Sequence, residues 1–133
     1  MTTALNRKVG EMDYDGLISD LTPPVEVRGR TIAGQATETT YKRGTIFARG
    51  QGNKKLYILG SAATTESGTL LQDCILCDDI TVGASEDVNV AAYTAGCFNP
   101  DKTTVQDGYT VTTADKDELR KRNIAFKATF DAN

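Results

Sequence analysis

The chain has 133 residues, a formal charge of −3, and neither histidine nor tryptophan. That length suits one domain. The acidic balance argues against nucleic-acid binding, which needs a basic footprint to displace counterions. Without histidine, no Ser-His-Asp or Cys-His catalytic arrangement and no His-ligated zinc site can be built.

Residues 1–24 read as an extended arm. Tyr14, Leu17, Ile18 and Leu21 are isolated apolar residues among polar ones, and Pro23-Pro24 forces the end of the segment extended. Residues 16–20 have the makings of one helical turn. Two readings stay open for the whole segment: a frayed terminus, or an arm that orders on a partner. The first ten residues hold no apolar run of the signal-peptide kind, and no stretch approaches the roughly 18 residues of a membrane span. The expectation is a soluble protein made in a reducing cytoplasm and not bound to membranes.

Residues 25–133 read as a single β-rich domain. Val25, Val27 and Thr31-Ile32-Ala33 open it, and a polar stretch from Gln35 to Tyr41 follows. Thr45-Ile46-Phe47-Ala48 and Leu56-Tyr57-Ile58-Leu59 flank a hairpin turn at Gly50-Gln51-Gly52-Asn53. Gly60 to Gly68 suits a surface loop. Thr69 to Ile80 places apolar residues on both faces and predicts a central strand. Gly83 to Asp87 reads as a turn and Val88 to Phe98 as a strand.

Asn99-Pro100-Asp101 breaks that strand, and a short helical turn is expected at 103–107. The clearest helix spans about 113–122. Thr112 or Thr113 serves as N-cap, Asp115, Asp117 and Glu118 come early, and Arg120, Lys121 and Arg122 come late. Asn123 suits the left-handed residue that ends a helix. From Ile124 the alternation Ile124, Phe126, Ala128, Phe130 predicts a last strand.

Few residues invite chemistry. Cys74-Ile75-Leu76-Cys77 is a CxxC inside an apolar strand, where positions three apart face opposite ways, so it reads as buried small hydrophobes. Cys97 has no second CxxC to join, and the odd count of three argues against a disulfide framework. Asp73, Asp78, Asp79, Glu86 and Asp87 lack calcium-loop spacing and read as solvated acidic turns. Gly50-Gln51-Gly52 lacks the third glycine and the helix of a phosphate loop. Arg28, Arg30, Lys42-Arg43 and Lys54-Lys55 read either as an ordinary solvated β surface or as a basic patch that meets an acidic protein surface.

Several segments share their order and spacing with a known family. These are Tyr14-Asp15-Gly16-Leu17-Ile18 followed by Pro23-Pro24-Val25-Glu26-Val27, Tyr41-Lys42-Arg43-Gly44-Thr45-Ile46, Lys55-Leu56-Tyr57, Cys74 to Ile80, Tyr93 to Asn99, and Gly108 to Thr112 leading into Leu119-Arg120-Lys121. From Tyr14 onward the chain resembles the lambda-type bacteriophage head decoration proteins. It departs from them in carrying Asn123 where members usually have glycine, and in continuing past Ile124 with an alternating tail.

The resemblance implies a mainly β fold of the β-clip kind: a bent ribbon closed into an incomplete barrel, with one short helix in the C-terminal half and an extended N-terminal arm. It implies a homotrimer that binds the major capsid protein at threefold and quasi-threefold positions outside an expanded phage head. It implies no catalytic residue and no cofactor. The capsid-binding arm would be carried by Tyr14, Asp15, Gly16, Leu17, Ile18, Pro23 and Pro24. A phage-surface adhesion module and a small trimeric β-fold nucleotide hydrolase of the dUTPase kind are the alternatives. The nucleotide and magnesium motifs of the second are not assembled here.

Overall fold

The computed structural model describes residues 16–127. Its strands are β1 (Ile18–Asp20), β2 (Glu26–Ile32), β3 (Thr39–Tyr41), β4 (Ile46–Gly50), β5 (Leu56–Ile58), β6 (Leu70–Leu76), β7 (Ile80–Val82), β8 (Val88–Phe98) and β9 (Ile124–Phe126). The single α-helix, α1, spans Thr113–Lys121.

Five strands nearly close on one another. β8 pairs antiparallel with β2, β5 with β4, and β4 with β6. β6 returns to β8 through Ile75↔Tyr93 and Leu76↔Ala92. β2 meets β5 in parallel at one pair only, Ile32↔Leu56, and that seam leaves the barrel partly open. The architecture is therefore mainly β with one helix and an incomplete barrel, the fold class expected from the sequence.

Each barrel strand sends residues inward. Ile32, Leu56, Phe47, Cys74, Leu76 and Ala92 fill the interior together with Tyr41 and Val82 of the β3–β7 ribbon. The outward residues Ile46, Ala48, Ile75 and Tyr93 form a second core with Leu17, Ile18, Phe98, Leu119 and Ile124. Apolar residues on both faces of β4 and β6 thus mean one strand layer between two cores, because successive side chains point to opposite sides.

β8 is eleven residues long and serves two sheets. Its first half is a barrel stave. Its second half lies between β1 (Ile18↔Phe98) and β9 (Gly96↔Ile124), antiparallel to one and parallel to the other. Between the halves, Glu26 pairs with Ala95 and Val27 with Tyr93, so Thr94 is the extra residue of a bulge.

α1 forms where its sequence signals stand. The Thr112 hydroxyl accepts from the Asp115 amide at 3.1 Å, and the Asp115 carboxylate accepts from the Thr112 amide at 2.9 Å. This reciprocal pair satisfies two orphan donors of the first turn. Asn123 ends the helix with a φ of 69°.

Three local expectations need correction, and one polar stretch is resolved. Residues 18–20 are a strand, not a helical turn, because β8 offers them an edge. Within the polar stretch Gln35 to Tyr41, Thr39–Tyr41 pairs with Ile80–Val82. The strand region 69–80 is two strands, split at Cys77-Asp78-Asp79, where the Asp79 carboxylate accepts from the Arg43 amide at 2.7 Å. The turn of helix comes earlier than 103–107. Pro100–Lys102 forms a 3-10 turn because the Asn99 side chain accepts from the Asp101 amide. Ile124–Phe126 opens the expected last strand, and residues 128–133 lie outside the described ones.

Candidate functional site

Tyr14 and Asp15 lie outside the described residues. Gly16 is the first described residue and stands beside Lys102. Leu17 and Ile18 are 1% and 3% exposed and belong to the outer core, against Ile46, Phe98 and Ile124. Both side chains are therefore packed within the described domain, at the start of the strand that pairs with β8. Burying them gives the folded domain more than an arm would gain by holding them in water.

The segment surfaces again at Leu21. Leu21 is 60% exposed and Val27 53%, and they are the large apolar side chains left in water among the described residues. Pro23 is half-buried and Pro24 exposed, after a cis Thr22–Pro23 peptide. Leu21 to Val25 therefore forms an excursion between β1 and β2, which both run along β8. It carries one exposed apolar group at its start, and another follows it at Val27. Asp20 at its base pairs with Lys127 at 3.0 Å, which ties the two ends of the described chain together.

The basic residues singled out in the sequence do not form one patch. Arg30 pairs with Asp73 at 2.8 Å, both largely buried. Arg43 donates to the Cys77 carbonyl at 2.9 Å and to the Tyr93 hydroxyl at 2.6 Å, and its guanidinium lies 5.4 Å from the Tyr93 ring centroid. Lys55 pairs with Asp87 at 2.6 Å. These acids are structural partners, not freely solvated turns.

What the fold gathers instead is Arg30, Arg49 and Lys54 around a pocket of about 340 Å³ at Gly29. Arg49 and Gly29 were not singled out from the sequence. A lone arginine in an apolar strand and a glycine in a strand give no warning that they meet.

A second depression, a groove of about 660 Å³, lies between Thr39–Tyr41 and the Tyr57, Ser61 and Gln106 side. Its lining mixes hydroxyls and amides with Ala36, Ile58, Ala62 and Val105, and Asp107 is its only charged residue. Burial pushes the Tyr41 hydroxyl pKa up, so it stays protonated. That lining suits contact with a largely neutral surface, and Asp107 is its one carboxylate.

The cysteines sit as the alternation requires. Cys74 faces the barrel interior and Cys77 the outer core, and all three thiols are free and buried. Burial raises the Cys74 pKa well above the ordinary thiol value and the Cys77 pKa to about 11, so neither is a nucleophile at neutral pH. Among the described residues no group of three or more His, Cys, Asp or Glu is placed to hold a metal. Compared with known proteins, the chain matches no protein-family model and no curated sequence.

Proposed function

We propose that the chain is a structural decoration protein that cements the outside of an expanded tailed-phage head, binding the major capsid protein as a homotrimer at threefold and quasi-threefold sites. The observation that carries this reading is the exposure of Leu21 and Val27. Two large apolar side chains are left in water, one at the start of the excursion between β1 and β2 and one on β2 itself. Exposed apolar groups are what a protein partner can cover. The order of segments that resembles the head decoration family supports the same reading, as does a fold with no histidine.

In this reading residues 1–15, with Tyr14 and Asp15, add to a sheet edge on the mature shell, and Leu21 and Val27 give separate apolar contacts to it. Each trimer bridges several capsid subunits. Binding only the assembled shell shifts its disassembly by mass action.

Mixing the purified protein with expanded empty heads tests the proposal by co-sedimentation and by the rupture temperature of bare and decorated shells. Bound protein and a higher rupture temperature are expected. Heads that neither bind it nor gain stability would remove the cement role. Removing residues 1–14 is expected to weaken decoration and leave the domain folded, whereas removing residues 1–20 takes Leu17 and Ile18 from the core and destabilises it.

A further inference from the structure

We infer that the pocket at Gly29 is an anion-binding site that takes the carboxylates of an acidic segment on a partner protein. Gly29 lies in the interior of β2, where glycine weakens a strand. Its backbone gives no reason for it. It has no positive φ, and a Cβ built there meets nothing within 4 Å. Neither turn geometry nor tight packing requires glycine, so what its bareness leaves is space. That space is the pocket of about 340 Å³ lined by Gly29, Arg30, Thr31, Arg49, Lys54 and Asn89.

Three of the six lining residues are cations and none is acidic. Asp73 neutralises Arg30, whose Nη1 also donates to the Gly29 carbonyl at 3.0 Å. Arg49 and Lys54 have no ion pair among the described residues. Arg49 is tied to the Lys54 backbone, because its Nε donates to the Lys54 carbonyl at 3.3 Å. Both cations line the same pocket, so an incoming anion there meets two positive groups. The Thr31 hydroxyl donates to Asn89 Oδ1 at 2.7 Å, which leaves the Asn89 amide nitrogen as a further donor.

Lys54 adopts a φ of 64°, a conformation that a residue with a Cβ holds only under constraint. Such strain recurs at ligand clamps. A glycine would fit that turn better and would lack the charge.

The partner's chemistry follows from the surroundings. Arginine forks match carboxylates. Val27, two residues before Gly29 on the same face of β2, adds an exposed apolar contact beside the cations. A protein segment that sets acidic next to apolar side chains satisfies both.

The test follows backbone amide resonances of the intact chain as a hexaglutamate peptide, a hexaglutamine peptide or inorganic phosphate is added. Glutamate should shift Gly29, Arg49 and Lys54 in a salt-sensitive way, and glutamine should not. Two variants keep the fold. Lys54→Gly relieves the backbone, and Gly29→Thr adds a β-former into open space, so both should melt no lower than the parent. Each is expected to bind hexaglutamate about tenfold more weakly. The inference is overturned if hexaglutamate leaves these resonances unmoved, if both variants bind as the parent does, or if phosphate alone binds as tightly as the peptide. No phage head enters the experiment, so its outcome is independent of the cement reading.

Discussion

Asp115 shows how much one side chain can hold. It is 4% exposed, and its carboxylate accepts from the Thr112 amide, the Tyr109 hydroxyl and the Gln72 side-chain amide. Burial alone would raise its pKa. The three donors outweigh burial and bring the carboxyl below its ordinary value. The same bond raises the Tyr109 hydroxyl, which therefore stays a donor. Asp115→Asn keeps the shape but sets an amide against donors, and is expected to cost about 2 kcal/mol in urea unfolding at neutral pH. The pH dependence has a definite sign. A carboxylate with a lowered folded pKa contributes its full stability above the unfolded value of about 3.9, and loses it as pH falls through the folded value. Below about pH 4 the parent should lose stability more steeply than Asp115→Asn; parallel acid titrations would refute this account. Thr112 was readable as a cap and Asp115 as an early acid. The reach to Gln72 was not, because it joins positions 43 residues apart.

At the scale of elements, β8 is where one strand becomes part of two sheets. Gly96 sits at the junction with a φ of 146°, and a Cβ there would meet the Phe98 ring at 2.9 Å and Val25 Cγ2 at 3.3 Å. Phe98 is fully buried and has nowhere to move. Gly96→Ala is expected to lower unfolding stability by about 1–3 kcal/mol, and an unchanged denaturation midpoint would show that the ring can yield. The elements legible in the sequence were those with local signals. The β4–β5 hairpin has its glycines, α1 its reciprocal cap, and β8 its alternation. The illegible ones are three-residue strands whose reason lies elsewhere in the chain. Thr39–Tyr41 is polar and exists because Ile80–Val82 pairs with it. Ile18–Asp20 is too short to show a period, and its burial comes from Phe98 and Ile124. Of the candidate surface, the arm residues were visible as isolated apolar positions, but which of them turn inward was decided by that distant packing.

The whole molecule has two cores on either side of one strand layer, and the cysteines sample both. Cys74 lies in the barrel and Cys77 in the outer core, while Cys97 lies in the sheet formed by β1, the end of β8 and β9, its thiol beside the Ser19 hydroxyl. The outer layer is built from short elements, so it should open at lower free energy than the barrel. In mild denaturant a thiol reagent is expected to modify Cys77 and Cys97 before Cys74, read by mass spectrometry of peptides. Simultaneous modification of all three would mean that the two cores melt as one.

The ion pair between Asp20 and Lys127 has a consequence for geometry at large. β1 and β9 flank the same half of β8, two strand spacings or about 10 Å apart. The described polypeptide therefore comes in and goes out through one end of the fold, like both leads of a lamp leaving by the same socket. A cargo joined directly at Gly16 or at Lys127 would be carried from that end.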